Sequence, residues 1–192
     1  MGASFPIRLR PLHVARGLFV AMLLAGVCIA LPADPGLHRR EAAIRKAIAE
    51  YREHRDIDDW QARVEIDERL VEEASGTPAR KLAAILHAAP DDLETGTAVA
   101  VCLGRESPDD LPQTVVGLAE ELLANRFERV RYRAAGALTR RSRRGAISQE
   151  MAADLLFAIE TARNTETSQA VAEALWLAER TLKKRLSGGA RP

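Results

Sequence analysis

Imidazoles, carboxylates and thiols could do acid–base, metal or nucleophilic chemistry in this chain, and they are sparsely placed. The four histidines are His13, His38, His54 and His87. His54 has Glu50 four residues before it, so that both share one helix face. With Asp58 and Asp59 shortly after, they form the one grouping from which a general acid–base or metal site could be assembled. Two ligands on a face fall short of the three protein ligands a catalytic zinc takes, and an i,i+4 polar pair is ordinary on a solvated helix. No serine or cysteine stands in a nucleophile elbow. No glycine-rich phosphate loop is present, since Gly188-Gly189 lies near the C-terminus and not between a strand and a helix. Cys102 sits in an apolar helical stretch, the setting of a buried small hydrophobe. No catalytic residue, cofactor or metal is therefore expected, and an enzyme built on Glu50, His54, Asp58 and Asp59 is the alternative.

Charge carries more information than chemistry does. The whole chain has a formal net charge of only +1, but that charge is segregated. From Glu53 to Glu73 nine acids face Arg55, Arg63 and Arg69, a net of −6; from Arg126 to Arg144 eight arginines face Glu128, a net of +7. A basic segment of that density attracts phosphate, anionic lipid or an acidic protein surface. The candidate partner-binding residues are Arg129, Arg133, Arg140, Arg141, Arg143 and Arg144. An acidic segment of this kind also allows self-association, the acidic stretch of one copy against the basic stretch of another.

The elements that must position these arginines are helices. Aromatics are 4% of the 192 residues, so the core is built from Ala, Leu, Ile and Val, which suits closely packed helices. Ile44, Ile48 and Tyr51, then Ile57, Trp60 and Val64, recur at helical spacing and predict a hairpin of helices over 37–55 and 58–74, with Asp58 as an N-cap. Gly76 ends the second, and Thr77-Pro78 starts a third helix that runs to Ala88. No stretch alternates apolar and polar over a strand length, so no sheet is expected.

From there the chain repeats. Ala100-Val101-Cys102-Leu103, Ala135-Gly136-Ala137-Leu138 and Ala172-Glu173-Ala174-Leu175 stand 35 and 37 residues apart, each preceded by an apolar segment of helix length: 78–88, 112–124 and 148–162. Each unit is two antiparallel helices, and stacking three of them buries a core that one pair cannot. Asn125 followed by Val130-Arg131-Tyr132-Arg133-Ala134-Ala135-Gly136-Ala137-Leu138 resembles the turn and second helix of a HEAT repeat. The resemblance implies an all-α fold, a short α-solenoid of stacked antiparallel helix pairs, and a structural role for Arg131 within or between repeats. In the flanking units Thr95-Gly96 and Thr167-Ser168 take the Val-Arg positions, so the Ala/Leu body recurs where the turn does not. The expected organisation is an N-terminal helical hairpin over 37–76, acting as a cap or degenerate repeat, HEAT-like repeats over 77–186 and a disordered tail over 187–192.

Two other stretches resemble known motifs. Asp56-Ile57-Asp58-Asp59 resembles the acid motif of class II terpene cyclases, but that chemistry needs a deep aromatic-lined cavity, and four Phe, two Tyr and two Trp are too few to build one. The motif reads as an acidic turn. At the N-terminus, Arg8, Arg10 and Arg16 precede an apolar run from Gly17 to Leu31 and then Pro32-Ala33, the layout of a secretory signal peptide. That run is shorter than the about 20 residues of a membrane span. Residues 1–33 are expected to be a signal peptide, cut after Ala30 or Ala33, or else an anchor retained in the inner membrane. Leu24 to Cys28 also resembles a lipoprotein processing box, which would lipidate Cys28.

The sequence thus predicts an exported or membrane-tethered interaction module in the cell envelope or periplasm. Its partner would be an acidic protein or an anionic envelope surface. Nucleic acid is a partner only if residues 1–33 are not an export signal.

Overall fold

The computed structural model describes residues 34–54, 60–145 and 147–188. The stretch expected as a signal or anchor, the D-x-D-D turn with its capping Asp58, and residues 189–192 lie outside the described residues.

Among the described residues the protein is all helical: α1 (Pro35–Glu53), α2 (Trp60–Glu73), α3 (Ala79–Ala88), α4 (Leu93–Leu103), α5 (Pro112–Leu123), α6 (Glu128–Arg143), α7 (Gln149–Thr165) and α8 (Gln169–Gly188). The last helix thus runs through Gly188, into the stretch expected to be a tail.

Local chemistry sets these boundaries. Asp34 caps α1 by accepting from the Gly36 amide at 2.9 Å, with Pro35 at the first helical position. Asp92 accepts from the Thr95 amide at 3.0 Å and Ser148 from the Met151 amide at 3.2 Å, opening α4 and α7 in the same way. α3 opens without a side-chain cap: Pro78 holds the N-cap position, and the Thr77 hydroxyl donates to the Ala74 carbonyl. The free amide of Ala79 is taken by Asp110 at 2.7 Å, from 31 residues further on. Gly76 and Gly145 stop the chain after α2 and α6 at φ of 76° and 87°, a left-handed turn that side chains disfavour.

The helices pack in pairs and in two layers. α3 packs with α4, α5 with α6 and α7 with α8; α3, α5 and α7 stack in one layer, and α4, α6 and α8 in the other. α1 and α2 pack on each other and close over α4, every residue of which from Glu94 to Leu103 is buried. Close approach in the second layer depends on small residues. A Cβ on Gly96 of α4 would stand 2.8 Å from the Val130 Cγ2 of α6, and one on Gly104 would stand 2.9 Å from the Arg140 Nε.

Arginines fasten the loops that join successive pairs. Arg40 of α1 donates to the Gly76 carbonyl, and Arg141 of α6 donates to the carbonyls of Leu103 at 3.1 Å and Arg105 at 3.0 Å. Arg185 of α8 donates to Ile147 at 3.1 Å and Gly145 at 2.7 Å. Each guanidinium, with five donors, satisfies carbonyls that a helix end leaves without partners.

Candidate functional site on the arginine helix

The eight arginines from Arg126 to Arg144 divide into two groups by what they touch. Four are committed within the fold. Arg126 pairs with Asp91 at 3.3 Å and lies over the Phe127 ring. Arg131 grips Glu166 with two nitrogens, at 2.7 and 3.0 Å, and donates to the carbonyls of Asn125 and Arg126, so it ties its own turn to the next. Arg133 pairs with Asp67 of α2 at 2.5 Å. Arg141 is 1% exposed and pairs with Asp110.

Arg141 therefore departs from the expected partner-binding set. It falls on the stripe Val130, Ala134, Ala137, Leu138 and Arg141, whose members all turn inward, and its charge is spent on the α4–α5 loop. Arg133 is half-buried, with its charge met by an acid of the N-terminal hairpin. Part of the charge segregation is thus satisfied inside the molecule. Asp67 also accepts from the buried Tyr51 hydroxyl, which links α1, α2 and α6.

Arg129, Arg140, Arg143 and Arg144 have no carboxylate within ion-pair distance among the described residues. Arg140 is the least comfortable. Burial lowers its pKa from the ordinary arginine value, and the like charge of Arg133 adds to the effect, while Asp67 opposes it. Burial and then Arg63 act on Arg129 in the same direction. Guanidinium stays protonated at neutral pH regardless, so what burial leaves is a partly desolvated charge with no carboxylate paired to it among the described residues.

Arg133, Arg140 and Arg143 open onto a groove of about 500 Å³ between α6 and α8. Their spacing of seven and then three residues keeps them along one side of α6 over about 15 Å. Arg140 lies back over the preceding turn of α6: a Cβ on Gly136 would stand 3.5 Å from its guanidinium nitrogen, in ordinary contact. The opposite wall is apolar and small, with Ala170, Ala174 and Leu177 at successive turns of α8, and Tyr132 at the rim. Tyr132 and Leu177 are exposed, at 47% and 39%. Glu173 is the one acid on the lining. The groove offers a row of cations facing a row of methyl and methylene groups.

The carboxylate–imidazole grouping is only partly described, since Asp58 and Asp59 lie outside the described residues. Glu50 is engaged by Arg69 of α2 and, at 3.9 Å, by Lys46. No cluster of three metal-ligating side chains occurs among the described residues. Cys102 is buried, and burial pushes its thiol pKa up to about 12, which keeps it a protonated, unreactive thiol.

Sequence reasoning missed Asp67, Tyr51 and the apolar wall of α8. Asp67 counted only as one acid among nine. Leu177 and Ala174 read as ordinary members of a repeat helix.

In comparisons with known proteins, no family model, curated protein or solved structure matches this chain.

Proposed function

We propose that this protein is an exported, non-enzymatic interaction module with a HEAT-like solenoid frame, which binds an acidic amphipathic helix of a partner protein in the groove between α6 and α8. The observation that carries this reading is Arg140 and Arg143, without counterions among the described residues, lining a groove whose other wall is apolar. A helix that presents an apolar face and carboxylates three or four residues apart matches both walls, the helix-in-groove mode of recognition. A recess of this kind favours a protein segment over a flat anionic surface. Arg129 and Arg144 extend the positive field along the same helix and steer the approach of an acidic partner. The signal-like N-terminus supports export to the envelope, either released or held at the inner membrane by residues 17–31.

A labelled acidic amphipathic peptide, followed by fluorescence anisotropy against the full chain, tests the proposal. Reversal of the groove cations, Arg140→Glu with Arg143→Glu, should weaken binding at least tenfold, about 1.4 kcal/mol. Arg39→Glu with Arg80→Glu, the same charge change at exposed positions on α1 and α3, should leave it largely intact. Equal weakening by both pairs would reduce the effect to net charge and remove the groove from the account.

A further inference from the structure

The two outermost helices of one layer carry complementary exposed faces, and we infer that copies of this chain stack head to tail, α2 of one copy docking on α8 of the next. α2 packs on α4 and α8 on α6, which makes α2 and α8 the ends of the row α2, α4, α6, α8. The row is parallel. The N-terminal ends of α4, α6 and α8 are joined by Arg126–Asp91, Arg131–Glu166 and Ser168–Glu128, and their C-terminal ends by the Arg141 and Arg185 loop contacts. α2 runs the same way: a Cβ on Gly76, three residues past its end, would stand 3.9 Å from the carbonyl oxygen of Glu106, three residues past the end of α4.

On α2, Ile66 and Leu70 point inward. The opposite stripe is Gln61, Glu65, Glu68 and Glu72, all exposed, and its three acids have no ion-pair partner among the described residues. Beside it stand Trp60, 62% exposed, and Val64, 37% exposed. On α8, Val171, Leu175, Ala178 and Leu182 are buried. The face away from them shows Trp176, 51% exposed, then Arg180 over its ring at 5.3 Å, then Lys184.

A second copy continuing the row would lay its α2 parallel to α8. In that register the apolar start, Trp60 and Val64, meets Trp176 and Leu177. Glu65 and Glu68, five and eight residues after Trp60, then meet Arg180 and Lys184, four and eight residues after Trp176. Measured from its tryptophan, Trp60 to Glu68 and Trp176 to Lys184, each face runs about 12 Å along its helix, so the two match in order and reach. A repeat stack normally needs polar terminal faces to stay monomeric, and here both ends expose a tryptophan. The contact is heterologous, so successive copies form a stack or a ring rather than a closed two-fold dimer. Leu177 borders both surfaces, but none of the residues to be altered lines the α6–α8 groove, so the charge reversals test this inference separately from the peptide-binding reading.

Sedimentation velocity of the full chain in mild detergent over a range of protein concentrations tests it. The wild type should show a sedimentation coefficient that rises with concentration and falls back with added salt. Glu65→Lys with Glu68→Lys and Glu72→Lys should be monomeric throughout, as should Arg180→Glu with Lys184→Glu, each with unchanged helical circular dichroism. An equimolar mixture of the two reversed proteins should recover the assembly, because each then offers the face the other lacks. A monomeric wild type would overturn the inference. So would reversed proteins that assemble as the wild type does, or a mixture that stays monomeric.

Discussion

The Arg133 guanidinium of α6 meets the Asp67 carboxylate of α2 at 2.5 Å, although those two helices stand on either side of α4, the neighbour they share. The buried Tyr51 hydroxyl of α1 donates to the same carboxylate. One acid therefore holds the N-terminal hairpin to the arginine helix, and one arginine serves both the fold and the groove. Removing the arginine leaves a largely desolvated carboxylate with only a phenol for company. Arg133→Ala should cost about 1–3 kcal/mol, since Asp67 is buried but the Arg133 side chain keeps some solvent contact. Urea unfolding of Arg133→Ala, Asp67→Asn and the double variant would measure it. The double variant should be less destabilised than the sum of the singles, the signature of a direct pair.

The same carboxylate bears on alkaline unfolding. Burial, then the negative charge of Asp67, raises the Tyr51 pKa far above the ordinary phenol value. The sign follows from the neutral form being the folded one: the contribution of Tyr51 to stability is complete below the unfolded-state value of about 10 and is lost as pH rises above it. Tyrosinate absorbance from Tyr51 should appear only together with the loss of helical circular dichroism. Tyr51→Phe should delete that late phase.

At the other end of the molecule, acid should loosen the turn between α7 and α8. The paired hydrogen bonds from Arg131 hold the Glu166 pKa down to about 2, from an ordinary value of 4.5, with the Ser168 and Thr167 amides assisting. A depressed carboxylate gives stability that is present above about pH 4.5 and is lost as pH falls toward 2. Thermal melts between those limits should show a slope that Glu166→Gln flattens. At neutral pH the same substitution should cost about 1–3 kcal/mol, because Arg131 keeps its backbone acceptors but loses its charged one.

Close packing of α4 on α6 predicts opposite outcomes for two glycines. Gly96→Ala places a methyl 2.8 Å from Val130 Cγ2 in a wholly buried interface, an overpacking of about 1–3 kcal/mol that Val130→Ala should partly relieve. Gly117→Ala meets nothing within 4 Å inside α5 and should stabilise by about 0.5–1 kcal/mol. Midpoints of chemical unfolding separate the two.

Much of the helical organisation was legible because apolar spacing, prolines and capping residues agree along the chain. The hairpin, the three further pairs and the inward Ala/Leu faces all follow from that pattern. The inward turn of Arg141 was also within reach: Val130, Ala134, Leu138 and Arg141 fall on one helical stripe, and counting arginines along the chain instead of around the helix concealed it. Arg185 was less accessible. It repeats the loop-fastening role of Arg141 at a distance of 44 residues, outside the 35- and 37-residue spacing of the helix bodies, because α8 is longer than α6. The partnership of Asp67 with Arg133 spans 66 positions and follows no period. Only the folded row of helices brings it about.

The central claim is that the α6–α8 groove selects an acidic helix by charge set against an apolar wall. Its most direct test is a reciprocal titration. Two peptides with the same apolar positions, one with glutamates and one with lysines at the remaining positions, are titrated against the wild type and against Arg140→Glu with Arg143→Glu. The account predicts that the wild type binds the glutamate peptide and not the lysine peptide, that added salt weakens this, and that the reversed protein inverts the preference. Two proteins that bind both peptides alike, or neither, would contradict it.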